Sequence, residues 1–219
     1  MQSKDKLLEA ALPHVPFDGW SEATFDAAIA DCGVEPALAQ GLYPRGAVDL
    51  AVAYHKLGDA RMLARLKQAE LGEMRYSARV AAAVRYRLEA VDDKELVRRG
   101  TTLFALPAYA PDGARLIWET CDAIWTALGD TSDDLNWYTK RATLSGVYGA
   151  TVLYWLGDES EGHAATWAFL ERRIEDVMRI EKAKAVLGQN KLFGDLLGRV
   201  TEAVRAPEPA TDMPGTQNK

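Results

Sequence analysis

The chain has 219 residues, enough for one sizeable helical domain or two small ones, and its formal charge at pH 7 is −6. Apolar residues make up 48% and charged residues 26% of the chain, a globular composition that excludes a disordered or fibrous protein. The net negative charge argues against nucleic-acid binding as the main task, because the phosphate backbone requires a basic surface.

The hydrophobic periodicity is helical almost throughout the chain, and the alternation typical of strands is missing. Ser21 is the expected N-cap of the second helix, and Gly33 is its expected end. Gly58 is a candidate kink within the fourth helix. The first four predicted helices cover residues 3–12, 21–32, 35–42 and 45–70.

The remaining pattern predicts six further helices and a proline-rich, disordered tail. These helices cover residues 77–91, 92–106, 112–128, 134–156, 160–184 and 185–205. The sequence therefore predicts an all-α bundle of about ten helices. We expect one domain over residues 1–205, made of a head (1–45), a bundle (46–184) and an amphipathic helix (185–205), followed by the tail (206–219).

The head has the topology of a helix-turn-helix, and its residues 32–44 resemble the recognition segment of TetR-family repressors. Residues 21–44 contain no Lys or Arg, but they do contain acidic side chains such as Asp26 and Glu35. These charges would repel the phosphates that line a DNA groove. We therefore expect a degenerate helix-turn-helix that does not bind nucleic acid.

The sequence contains little that indicates catalysis. No two of His14, His55 and His163 stand at metal-binding helical spacing, and the pair His55–Asp59 is interpreted as a surface contact. Phosphate-binding glycine loops, a serine nucleophile motif and HExxH are all missing. Cys32 and Cys121 are expected to be reduced, mostly buried thiols. We expect a protein that is not an enzyme and has no catalytic residues, metal or cofactor.

An aromatic pair, Trp137 and Tyr138, stands beside two cations, Lys140 and Arg141, at helical spacing. Such a group is either a solvated cap over the core or an exposed binding surface. Trp, Tyr and Arg are the residue types enriched in interface hot spots. The spacing leaves these two interpretations equally open.

The predicted helix 134–156 carries a face of bulky side chains beside a narrow stripe of small ones. One interpretation is core packing with a homodimer seam. The other is that the bulky face and three tryptophans opposite it line an apolar cavity for a long ligand. The residues of this lipid-binding hypothesis are Leu144, Tyr148, Val152 and Trp155 on the helix and Trp118, Trp125 and Trp167 opposite it.

The last predicted helix has an apolar side with basic flanks, which suits binding at a membrane surface and also suits simple docking on the bundle. No segment is typical of a signal peptide or of a spanning helix, so we expect a soluble or peripheral protein. The apolar residues of the candidate membrane helix are Val186, Leu187, Phe193, Leu196, Leu197, Val200 and Val204.

Several segments together resemble the coenzyme Q nine family, whose members are ubiquinone-biosynthesis accessory proteins with a TetR-like fold. The most specific one is TSDDLNWYTKRATL at residues 131–144, and the similarity extends over about residues 5–205. The other segments are PRGA at 44–47, LIWETCD at 116–122, TWAFL at 166–170 and RRI at 172–174.

The resemblance implies a protein that binds an isoprenoid lipid or ubiquinone intermediate in its bundle, contacts membranes through its last helix and forms a homodimer. It also implies support of the di-iron hydroxylase that acts on demethoxyubiquinone. Trp137 and Tyr138 match the aromatic pair that the family uses to contact that enzyme, and Lys140 and Arg141 extend the patch.

Two further expectations accompany the resemblance. The chain begins without a transit peptide, so we expect a cytoplasmic protein on the inner membrane of a bacterium, or the mitochondrial matrix face if a transit peptide was removed. The alternative function is that of a TetR-type regulator that senses a hydrophobic ligand.

Overall fold

The computed structural model describes residues 2–188 and 206–207. Within these residues the chain is all helical, as predicted, and a 3₁₀ turn at Glu161–His163 precedes the last helix. None of the described helices is both long enough and apolar enough to cross a membrane. The helices are α1 (Gln2–Ala11), α2 (Val15–Asp18), α3 (Glu22–Cys32), α4 (Pro36–Leu42), α5 (Ala47–Gln68), α6 (Tyr76–Glu89), α7 (Lys94–Phe104), α8 (Ala110–Ala127), α9 (Leu135–Leu156) and α10 (Ala164–Gly188).

The ends of α3 confirm the capping prediction. The Ser21 side chain accepts a hydrogen bond from the Thr24 amide, and Gly33 ends the helix in the left-handed conformation, at φ +64°. The sequence does not predict the short helix α2, which lies between the first two predicted helices and contains Pro16. Proline is tolerated in the first turn of a helix, where its missing amide hydrogen has no partner to lose.

The predicted boundary between residues 184 and 185 is wrong, because α10 continues through it to Gly188. Residues 182–187 contain neither a proline nor a capping residue that would end a helix. Val186 and Leu187 therefore lie in the last turns of α10. The other residues of the candidate membrane helix, Phe193, Leu196, Leu197, Val200 and Val204, lie outside the described residues, as does most of the predicted tail.

Two clusters of buried side chains form the interior of the described part of the chain, and α5 contributes to both. The first lies in the head, where Leu7, Phe25 and Leu50 are buried between α1, α3 and α5. The second lies among α5, α6, α8, α9 and α10 and includes Met62 and Ile124. The 22 residues of α5 thus connect the head to the bundle as one continuous element.

Helix α5 continues as one element through Gly58, the candidate kink. A Cβ atom at Gly58 would lie 2.5 Å from Nη1 of Arg87 on α6. The glycine therefore creates the space in which a buried guanidinium crosses the helix. The same Arg87 side chain lines the cavity that forms the candidate functional site.

Candidate functional site

Helices α5 to α9 line a cavity of about 440 Å³. This volume lies within the range of about 300–1,000 Å³ that is common for small-molecule sites. Most of the wall is apolar, as expected for a site that holds a hydrophobic ligand. Its apolar lining includes Leu88, Leu96, Phe104, Leu116, Ile117 and Val152.

One part of the cavity wall is polar and is built around Arg87, whose side chain is only 5% exposed. Its Nε donates to Oδ1 of Asp59 at 2.6 Å, and its Nη2 donates to the carbonyl of His55 at 2.9 Å. Thr120 on α8 lies 2.9 Å from the same Asp59 oxygen. A buried charge is stable only when it is paired and hydrogen-bonded, and these contacts provide both.

The interpretation of His55–Asp59 as a surface contact is wrong. The His55 side chain is 19% exposed, and its Nε2 lies 2.8 Å from Oγ1 of Thr120 and 3.8 Å from Asp59. Burial and the neighbouring Arg87 charge lower the pKa of His55 from 6.5 to about 3. The imidazole at the cavity wall is therefore neutral at physiological pH.

Acidification is expected to destabilise the protein through His55. Between pH 6.5 and about 3 the unfolded chain binds a proton at this residue and the folded chain does not, so stability falls as the pH falls. Between pH 7 and pH 5 the wild type should lose about 1–2 kcal/mol more than a His55→Gln variant. Urea denaturation at both pH values measures this, and equal losses in the two proteins would contradict it.

Two tyrosines complete the polar wall. Tyr54 on α5 and Tyr148 on α9 both line the cavity, and their side chains are 8% and 3% exposed. Burial raises the pKa of each phenol to about 12, so both keep their protons at neutral pH. Among the described residues neither hydroxyl has a hydrogen-bond partner, and the Tyr54 oxygen is fully buried.

A second, smaller cavity of about 260 Å³ lies on another side of α9. Helices α6, α8 and α10 form the rest of its wall, and Lys140 lies at its edge. The indole nitrogen of Trp125 is buried there without a hydrogen-bond partner among the described residues. Its lining includes Trp125, Leu144, Val147, Ile174, Val177 and Met178.

A cluster of three aromatic side chains lies at the junction of α8 and α9. The rings of Trp137 and Tyr138 are 4.8 Å apart in an edge-to-face arrangement, and Trp118 lies 5.9 Å from Trp137 and 6.5 Å from Tyr138. All three side chains are half-buried. They form a partly exposed aromatic surface, which we call the aromatic patch.

Arg141 supports the aromatic patch from below and does not extend it, because the residue is only 2% exposed. Its Nε donates to Asp122 at 2.6 Å and its Nη1 to Asp130 at 3.2 Å, while its guanidinium lies 3.9 Å from the centre of the Trp137 ring. Lys140 also donates to Asp130, at 2.6 Å. These contacts hold the start of α9 against the end of α8.

The seven residues of the lipid-binding hypothesis lie in five different environments. Tyr148 and Val152 line the larger cavity, whereas Trp125 and Leu144 line the smaller one. Trp118, Trp155 and Trp167 line neither. Trp118 belongs to the aromatic patch, the Trp155 ring lies 4.9 Å from Nζ of Lys94, and the Trp167 ring lies 4.8 Å from the Arg85 guanidinium.

Sequence reasoning missed the contribution of α5, α6 and α7 to the larger cavity. The one available signal was Gly58 in the middle of an otherwise unbroken helix, which indicates close packing by another group. No signal connected Arg87 to it, because the two residues are 29 positions apart. In the part of the chain that the structure describes, no three side chains are grouped as a metal site.

The model of the COQ9 family matches residues 110–181, which include the aromatic patch and most of α8 to α10. The ubiquinone biosynthesis protein COQ9, mitochondrial, of Drosophila melanogaster is 32% identical over 181 residues, which are 80% of this chain and 55% of that protein. The Rattus norvegicus and Homo sapiens proteins of the same name are 30% and 29% identical, each over 82% of this chain and 60% and 58% of their own length. The chain thus spans little more than half the length of these relatives.

A TetR transcriptional regulator from Nitrosomonas europaea has a similar structure, with a TM-score of 0.66 at 19% sequence identity. The match covers 80% of this chain and 97% of the regulator. It establishes the TetR-like fold that the topology of the head predicted.

Proposed function

This chain belongs to the COQ9 family, and we propose that it is a non-catalytic accessory protein of ubiquinone biosynthesis. In this proposal it binds an isoprenoid quinone intermediate and presents it to the di-iron hydroxylase that acts on demethoxyubiquinone. The observation that carries the proposal is the arrangement on α8 and α9, which contribute to the walls of an apolar cavity and also carry the aromatic patch.

The cavity suits part of a long lipid. A volume of about 440 Å³ accommodates roughly 15 non-hydrogen atoms at about 30 Å³ each. This is a substituted ring with about one isoprene unit, so the rest of a long tail would lie outside. Moving an apolar group from a bilayer into an apolar cavity changes its free energy little, because both environments exclude water. The protein can therefore take up such a lipid without a chemical step.

The aromatic patch is the proposed contact with the hydroxylase. Half-buried Trp and Tyr side chains offer a large, rigid contact area, and they are typical of interface hot spots. Trp137 and Tyr138 would contact the partner, Lys140 would flank them, and Arg141 would act by positioning Trp137.

The remaining proposals concern assembly and location. Tyr154 on α9 is 41% exposed and its ring stacks on that of Phe169 on α10 at 4.6 Å, and this apolar surface suits contact with a second copy of the chain. The segment 185–205 would contact the membrane in which quinone intermediates dissolve, at the inner membrane of a bacterium or mitochondrion. The relatives named above are mitochondrial by name.

The head is proposed not to bind DNA, which disfavours the alternative of a TetR-type regulator. Helices α3 and α4 and the turn at Gly33 between them carry no Lys or Arg. A helix in the DNA groove would need such side chains to neutralise phosphates.

The proposal is tested by Trp137→Ala. In cells that lack the gene, we expect the wild type to restore ubiquinone, whereas the variant should leave demethoxyubiquinone accumulated, as measured by liquid chromatography and mass spectrometry. Loss of a hot-spot tryptophan should also weaken binding to the purified hydroxylase by at least about 30-fold.

The matched control is Phe17→Ala, which removes an aromatic side chain that is 83% exposed on α2, away from the patch. It should behave as the wild type in both measurements. Circular dichroism must show that both variants are folded. Normal quinone content and normal affinity in folded Trp137→Ala would remove the aromatic patch from the proposal, and a normal quinone profile in cells without the gene would overturn the proposed function itself.

A further inference from the structure

The larger cavity has an inner side and an outer side of different chemistry. Leu153, which is 63% exposed, lines it together with the exposed Ala105 and Ala114, so these apolar residues mark where the cavity reaches solvent. The buried residues Tyr54 and Arg87 mark its inner, polar part. A ligand in this cavity therefore has two distinct environments along its length.

The polar part of the wall carries no net charge. The Arg87 guanidinium is neutralised by the Asp59 carboxylate at 2.6 Å, and His55 beside them is neutral. An anionic headgroup buried here would find no unpaired cation to offset its desolvation. The wall thus favours a polar group that is itself uncharged.

The same wall has unused hydrogen-bonding capacity. The hydroxyls of Tyr54 and Tyr148 have no partner in the described part of the protein, although buried polar groups are nearly always hydrogen-bonded. A phenol donates one hydrogen bond and also accepts, so it can pair with carbonyl, methoxy or hydroxyl oxygens. Two such residues, on helices α5 and α9, line the same cavity as Arg87.

We propose that Tyr54, Tyr148 and Arg87 form a hydrogen-bonding subsite for the oxygen substituents of an uncharged ring. The ligand then enters the cavity ring first, and its apolar tail leaves past Leu153. This inference rests on the proposed function, because it assigns the orientation of the lipid in the cavity that the function requires. It also implies that the ring is shielded from solvent until the lipid is handed on.

The test compares the double variant Tyr54→Phe/Tyr148→Phe with the wild type. Three probes are used: a dimethoxy-methyl-benzoquinone with one isoprene unit, an oxygen-free C15 isoprenoid hydrocarbon and a C16 fatty acid. Binding is followed by tryptophan fluorescence, since Trp20 lines the cavity and its ring lies 5.6 Å from that of Tyr54. Two lost hydrogen bonds should weaken binding of the benzoquinone by about tenfold and leave the hydrocarbon within about twofold.

The matched control is Tyr76→Phe, which removes a phenol from the smaller cavity and should leave all affinities unchanged. An unchanged benzoquinone affinity in the double variant would overturn the inference, as would an equal loss for the hydrocarbon or preferred binding of the fatty acid by the wild type. If the wild type still binds the hydrocarbon in any of these cases, the proposed function is not contradicted. A wild type that binds neither the benzoquinone nor the hydrocarbon would overturn both.

Discussion

Replacing Arg141 by methionine is expected to lower the free energy of unfolding by about 3 kcal/mol. Loss of one partner of a buried ion pair generally costs about 3–5 kcal/mol, because the other charge stays in the interior without compensation. Here the side chain of Asp130 is 2% exposed and loses one of its two cations, while Lys140 remains. This remaining pair places the expected loss at the low end of the range.

Urea denaturation of the two proteins measures the difference. The matched control is Arg173→Met, which breaks an ion pair to Asp176 whose members are 45% and 44% exposed. Exposed pairs contribute about 0–1 kcal/mol, so the control should remain close to the wild type. A loss in Arg141→Met no larger than that of the control would mean that this buried network does not stabilise the fold.

The Arg141 substitution does not by itself separate the two roles, a cap over the core and a binding surface, that helical spacing leaves equally open at this helix. Arg141 holds the Trp137 ring through a contact of 3.9 Å and the Trp137 carbonyl through a hydrogen bond of 3.1 Å. Loss of partner binding in an Arg141 variant would therefore be an indirect effect of a displaced ring. The proposed binding surface and the structural core meet at one residue, and only the direct Trp137 variant tests the surface.

The helices could be predicted because their signals are local. Ser21 and Gly33 bracket α3 through contacts with residues a few positions away, and such contacts depend on sequence alone. The end of α10 could not be predicted in the same way. Residues 182–187 carry no strong signal to stop a helix, so the choice between one helix and two was not encoded locally.

The polar wall of the cavity could not be predicted because its contacts are distant in sequence. His55 and Asp59 have the i, i+4 spacing that is equally common on exposed helix faces. Arg87 on α6 and Thr120 on α8 make this pair an interior one, and they are 28 and 61 positions from Asp59. Helical spacing identifies the face of a helix but not what lies opposite it.

For the same reason, the periodicity of α9 fits two interpretations of its bulky face equally well. The face can pack in a filled core, or it can line a cavity. Leu144 and Tyr148 are one turn apart on this face, and the structure places them beside two different cavities. The space beside each residue depends on how far the neighbouring helices stand from α9. That distance is set by side chains of α5 to α8, which the periodicity of α9 does not report.

Replacing Gly149 by leucine is expected to remove bound lipid from the protein without destabilising it. Gly149 lines the larger cavity, and a Cβ atom there would meet no atom within 4 Å, so the new side chain has room to enter the space assigned to the ligand. Leucine also favours the helical state over glycine by about 0.5–1 kcal/mol. Lipid extracted from the purified variant should fall at least about tenfold by mass spectrometry, since a side chain that fills part of a site excludes its ligand.

Gly146→Leu is the matched control, because it makes the same change one turn earlier on α9. A Cβ there also meets no atom within 4 Å, but Gly146 lines neither cavity. Both variants gain the same helix propensity and the same side chain, so these effects cancel in the comparison. A loss of lipid confined to Gly149→Leu would place the lipid in the larger cavity, whereas equal lipid content in the two variants would contradict that assignment.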